Sequence, residues 1–117
     1  MKVEEFASSL FELEVNMHIA HLQTSSFAAH MALNTLYQDI VEMRDSFIES
    51  YQGKYGIITK YKSFNIAEGI DPLTYLKSKI TVYTDYRSTL SDGYLQQIID
   101  DIITLITSTT YKLKFLN

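Results

Sequence analysis

The 117-residue chain contains no cysteine and no tryptophan, and only one proline. Without cysteine, disulfides, thiolate metal sites and cysteine nucleophiles are all excluded. No apolar run reaches the roughly 18 residues of a membrane span, and the N-terminus lacks the pattern of a signal peptide. We therefore expect a cytoplasmic protein without a membrane partner. The net charge of -4 and the scattered basic residues give no reason to expect nucleic acid binding.

Helix breakers are also missing from the first half, because the proline and all four glycines follow residue 50. Apolar residues recur there at steps of three and four and predict a core stripe made of Phe6, Leu10, Leu13, Met17 and Ala20. This spacing predicts a first helix over residues 3–23. The Thr24–Ser26 segment offers oxygen atoms that can cap a new helix, so we expect a second helix over 27–52 that ends at Gly53.

The second half predicts two further helices after a long connection. Periodicity lapses over residues 53–70, and Asp71 with Pro72 then forms a helix start signal. We expect helices over 72–90 and 93–115, with Asp92 in the turn signal between them. The chain should thus be one all-α domain, a four-helix bundle in which two antiparallel hairpins are joined by a long crossover, which is the connectivity of ferritin-like bundles.

The second predicted helix carries two apolar stripes instead of one. The first stripe includes Ile40, Met43 and Phe47, and the second, about 100° further round, includes Tyr37 and Ile48. A peripheral helix of a monomer needs only one such stripe. The second stripe therefore predicts a two-fold homodimer formed through the first two helices.

Four polar residues lie where they could form a metal site: His18, His30, Asp45 and Glu49. Imidazole and carboxylate ligands suit ferrous iron, with zinc or manganese as possible surrogates, and two carboxylates can bridge a metal pair. His18 and His30 lie on either side of the predicted turn, so we expect them to face each other. Asp45 lies fifteen residues beyond His30, which is about 22 Å along a helix. The acids should therefore meet histidines of another chain, giving two equivalent sites at a two-fold interface.

This pattern of two histidines, an aspartate and a glutamate resembles the ferroxidase signature of the mini-ferritins, also called Dps proteins. Other positions that resemble the family are Phe27, Leu36, Tyr37, Glu42 and 111–116. The resemblance implies a dodecamer that oxidises ferrous iron with hydrogen peroxide or oxygen and stores the product. It also implies that His18, Asp45 and Glu49 hold the tighter iron, that Glu49 bridges, and that His30 approaches the second iron.

Two residues are alternative ligands, and two other functions stay open. His21 lies near the core stripe and could replace His18, while Glu14 lies one turn before His18. The main alternative function is a non-catalytic structural oligomer of the same fold, encoded by a phage. A DNA-compacting protein is a weaker alternative, because the chain lacks the lysine-rich tail of the mini-ferritins.

Overall fold

The computed structural model describes residues 1–116 and contains four α-helices, with no β-strand in that range. Helix α1 spans Val3–Gln23, α2 spans Phe27–Tyr55, α3 spans Pro72–Arg87 and α4 spans Gly93–Phe115. The expectation of an all-α chain with four helices is confirmed.

Side chains cap the starts of three helices. At α1, the Glu5 carboxylate accepts a hydrogen bond from the Lys2 backbone amide at 3.2 Å. The Ser26 hydroxyl accepts from the amide of Ala29 at 3.1 Å and starts α2, and Asp71 accepts from the amide of Thr74 at 3.2 Å and starts α3. These bonds satisfy amides that the first turn of a helix leaves free.

Two predicted helix ends were wrong. Helix α2 does not end at Gly53 but continues to Tyr55, and Gly56, with φ of 100°, follows it. A single glycine inside a helix lowers its stability by only about 1 kcal/mol. Helix α2 can therefore continue past Gly53, because Lys54 and Tyr55 of its last turn are bonded to Asp92. Helix α3 ends at Arg87, not at residue 90, because the amides of Thr89 and Leu90 turn back to the carbonyls of Tyr86 and Arg87.

The core lies where helices α1 and α2, α2 and α4, and α3 and α4 pack against each other; α1 and α3 contact each other less. Phe6 is fully buried at its centre, with its ring against Phe47, Tyr83 and Tyr86. Along α1 the predicted core positions are all buried. They are Phe6, Leu10, Leu13, Met17 and Ala20.

The connection between α2 and α3 follows α1. The amide of Lys62 donates to the Ser8 hydroxyl at 2.7 Å, and the amide of Ala67 donates to Asn16 at 3.1 Å. Ile58 is buried in the same core. Among residues 1–116, no helix has both the length and the hydropathy that crossing a membrane requires.

Candidate functional site

His21 and His30 form a stacked pair where α1 ends and α2 begins. Their ring centroids are 3.7 Å apart, and each Nδ1 lies within hydrogen-bond distance of the other residue's carbonyl oxygen, at 2.7 and 2.8 Å. A carbonyl can only accept, so both Nδ1 atoms donate, and in the neutral rings Nε2 keeps its lone pair. Two reciprocal hydrogen bonds thus join the helices on either side of the turn.

His18 lies beside this pair but binds a different neighbour. Its exposed ring stacks on Tyr37 of α2 at a centroid distance of 3.9 Å, nearly parallel, and its centroid lies 5.9 Å from that of His21. The sequence placed His18 opposite His30, whereas His21 takes that position. His21 occupies a core position one turn after Met17, and this spacing was the signal available in the sequence.

Arg44, which the sequence prediction missed, binds both Asp45 and Glu14. Arg44 of α2 is only 7% exposed, and its guanidinium forms an ion pair with Glu14 of α1. The guanidinium also lies 4.0 Å from the centroid of the Phe11 ring and donates from Nε to Asp45 at 3.2 Å. Glu49 is exposed one turn beyond Asp45. A single basic residue between the core positions Ile40 and Phe47 was the clue that a buried ion pair forms here.

The second stripe of α2 faces α1 of the same chain. Tyr37 stacks on His18, His30 pairs with His21, and Ile48 is buried in the core. A bundle helix packs against two neighbours, here α1 and α4, so its apolar face must be wider than one narrow stripe. The stripe therefore gives no argument for a partner subunit.

The four predicted ligands do not form a site within one chain. The structure brings His18 and His30 each close to His21 and links Asp45 to Glu14 through Arg44. Within residues 1–116, however, no group of three His, Cys, Asp or Glu side chains could hold a metal ion. The predicted site shared between two chains stays a prediction.

A second charged group lies at the opposite end of α2. The buried Asp92 carboxylate, at the start of α4, accepts hydrogen bonds from Lys54 and from the hydroxyl of Tyr55. These two donors hold the pKa of Asp92 below its ordinary value, the Lys54 bond most strongly. Asp92 was read from the sequence only as a turn residue.

A polar network between α1 and α3 also contains hydroxyl and amine groups. The Ser9 hydroxyl lies 2.8 Å from that of Tyr83 and 3.1 Å from the Lys79 amine. Lys79 is ion-paired with Glu12, and a charged amine cannot take a proton from serine. Burial raises the pKa of Tyr83 well above its ordinary value, so this phenol is no base either. The network joins helices and has no activated nucleophile.

Comparison with known proteins gives one family and one relative. A family described as "Family of unknown function (DUF5856)" matches residues 21–113. An "Uncharacterized 14.6 kDa protein in mobD-ri intergenic region" of Enterobacteria phage T4 is 31% identical over 55 residues, which is 47% of this chain and 43% of that protein. The match thus spans less than half of the relative. No solved structure matches the chain.

The resemblance to the mini-ferritins was wrong. The family that matches is a different one, and the phage relative is not described as a ferritin or Dps protein. The residues that suggested the resemblance have other contacts within the chain. His30 is bonded to His21 of α1, and Asp45 is bonded to its neighbour Arg44 on α2.

Proposed function

The chain belongs to the DUF5856 family of unknown function, and we propose that it is a non-catalytic helical protein that assembles with further copies of itself. The observation that carries this proposal is a stretch without charge. Residues 15–38 contain no Asp, Glu, Lys or Arg. They form the end of α1, the turn and the start of α2, which we call the α1–α2 corner.

The α1–α2 corner exposes large apolar side chains. Phe27 is 77% exposed, Leu22 is 68% exposed and Met31 is 48% exposed. A single exposed apolar residue is ordinary, but several on the two sides of one interhelical turn, with no charge among them, are typical of the central part of a protein interface. The reciprocal bonds of His21 and His30 hold this surface in one shape.

A second copy of the chain is the partner that this surface fits. The whole chain carries a net charge of -4, so two copies repel each other at most surfaces. At the α1–α2 corner there is no acidic side chain to oppose another. A two-fold axis would place Phe27 of each copy against the apolar residues of the other, and each contact would occur twice.

The contacts also support a finer description of the fold. The bond from Lys54 to Asp92 lies where α2 ends and α4 begins, and the connection runs from Ser8 towards Asn16 along α1. In this arrangement α1 with α2 and α3 with α4 are antiparallel hairpins joined by a long crossover. The arrangement would bring the C-terminal end of α4 to the α1–α2 corner.

Iron oxidation between copies and a cytoplasmic location remain predictions. The unbonded Nε2 atoms of His21 and His30 are compatible with metal binding, because ligating histidines commonly donate Nδ1 to a carbonyl. Asp45 would have to leave Arg44 to serve as a ligand. The structural role requires no such change, so it is the better supported of the two.

The mass of the protein in solution tests the proposal. We expect the wild-type chain to sediment at twice 13.5 kDa or more at high micromolar concentration. Replacing Phe27→Ser and Met31→Ser should weaken association by at least about 100-fold, because each buried apolar side chain contributes about 1.5–3 kcal/mol and each contact occurs twice.

A matched control is the change Ile57→Ser. Ile57 is 73% exposed in the connection, away from the α1–α2 corner, so this variant should associate like the wild type. A wild-type chain that sediments at 13.5 kDa across the whole concentration range would overturn the proposal, and so would equal weakening by the control.

A further inference from the structure

The charges of the chain are separated between its surfaces. The charged side chains on the exposed part of α2 before Lys54 are all acidic, because Arg44, the one base there, is buried against Glu14. Helix α4 has no basic residue before Lys112, and of its two acids Asp101 is exposed whereas Asp100 is ion-paired with Arg87 of α3. The surface where α2 and α4 meet is therefore negative.

A groove runs along this surface, and we call it the α2–α4 groove. It has a volume of about 500 Å³, and its apolar lining comes from Met43, Ile98 and Leu105. These three side chains pack against the core and remain partly exposed. Glu42 and Asp101 add carboxylates to the lining, one from each helix. The remaining lining residues are Ser46, Thr104 and Ser108.

The dimensions of the groove suit a helix. Ile98 and Leu105 are seven residues apart, which is two turns and about 10 Å along α4. An amphipathic helix presents apolar side chains at the same three- and four-residue steps, so it can lie in a groove of this kind. With a carboxylate contributed by each helix, basic residues beside the apolar stripe would be attracted and acidic ones repelled.

A second copy of this chain is a poor occupant. Its basic side chains on α3 include Lys79, which is paired with Glu12, and Arg87, which is paired with Asp100. The apolar side chains that it exposes at the α1–α2 corner lie in a stretch without Lys or Arg, so they bring no base to the carboxylates of the groove. Nucleic acid would be repelled by the carboxylates.

We propose that the α2–α4 groove binds a basic amphipathic helix of another protein, with apolar side chains on Met43, Ile98 and Leu105 and Lys or Arg side chains beside Glu42 and Asp101. This surface is distinct from the α1–α2 corner, so either proposal can fail alone.

A peptide titration followed by methyl NMR of labelled methionines tests the proposal. The probe is a synthetic helix of about 18 residues made of Leu and Lys in an amphipathic pattern, and its partner probe has Glu in place of Lys. The basic probe should shift the methyl signal of Met43 in the groove and leave that of buried Met17 unchanged. Binding should weaken as salt is added. The acidic probe should not bind.

Charge-reversal variants separate the groove from general attraction to an acidic protein. The double change Glu42→Lys and Asp101→Lys should lower affinity at least about tenfold. The control, Asp85→Lys with Glu68→Lys, makes the same change in net charge at two exposed sites outside the groove and should have a much smaller effect.

Three results with the peptide probes would overturn the proposal. They are an unchanged Met43 signal with the basic probe, equal loss of affinity in the control variant, and binding of the acidic probe. A Met43 signal that shifts when the protein alone is diluted would assign the groove to a second copy and would also contradict it.

Discussion

At the scale of the residue, Asp92 connects the first turn of α4 to the last turn of α2. Its carboxylate accepts from Lys54 and Tyr55, and the helix start it precedes has no side-chain cap. These hydrogen bonds hold the last turn of α2, beyond Gly53. They also couple the stability of the fold to pH, because they favour the ionised form of Asp92 and lower its pKa.

Replacing Asp92→Asn should lower the melting temperature at neutral pH. A carboxyl group with a lowered pKa stabilises the fold above its unfolded pKa, near about 4, and this contribution is lost as the pH falls through the folded value. The difference between wild type and variant should therefore shrink between about pH 4 and pH 2. Thermal unfolding followed by circular dichroism over this range measures it.

The control for this change is Asp85→Asn, at an exposed position on α3. It should leave the melting temperature nearly unchanged at every pH. A wild-type advantage over Asp92→Asn that is as large at pH 2 as at pH 7 would show that the charge of Asp92 has no part in it.

Single residues also show where sequence reasoning reached its limit. The histidines and acids on α1 and α2 could be seen, but their partners depend on the rotation of one helix against the other. The sequence alone did not determine this rotation, so His18 was paired with His30 in place of His21. The position of Arg44 in the apolar pattern contained the missing information, since a lone base there requires an acid such as Glu14.

At the scale of the element, helix α2 packs against the two other long helices, with α1 on one side and α4 on the other. Met43 belongs to its predicted core stripe, yet this residue is only partly buried and lines the α2–α4 groove. The wide apolar face therefore serves the interior of the chain, and the parts that remain open are the α1–α2 corner and the groove.

Two glycine substitutions should have opposite effects on stability. Gly53→Ala should stabilise the protein by about 1 kcal/mol, because residue 53 is helical and an added Cβ meets nothing within 4 Å. Gly69→Ala should destabilise it by about 1–2 kcal/mol, because Gly69 has φ of 63°, which disfavours a side chain. Urea denaturation of both variants gives the two free energies, and a destabilising Gly53→Ala would contradict the account of α2.

The helices were predictable because their signals are local. Three- and four-residue apolar steps, Ser26 and Asp71 as caps, and Pro72 at a first turn each act within a few residues. The predicted helix ends at Gly53 and residue 90 were wrong because a distant contact continues α2 and a tight turn ends α3 earlier. Gly53 lies in a helix whose last turn Asp92 holds, and no local pattern shows that bond.

At the scale of the whole molecule, two surfaces differ in chemistry. The α1–α2 corner is apolar and uncharged, and it suits a second copy of an acidic protein. The α2–α4 groove has an apolar lining with carboxylates, and it suits a basic helix. Exposed apolar side chains at the corner, and an apolar lining beside carboxylates in the groove, are the observations on which we propose binding at each surface.

A dilution series of the protein with labelled methionine methyl groups tests self-association at the corner most directly. Met31 lies in the α1–α2 corner, whereas Met43 lies in the groove and Met17 is buried. The account predicts that, among these three, only the Met31 methyl signal changes its chemical shift with protein concentration. In the Phe27→Ser variant, the Met31 signal should stay at every concentration where the dilute wild-type protein shows it. A Met31 signal that stays constant while the protein self-associates, or that moves no more than the Met43 signal, would contradict the account.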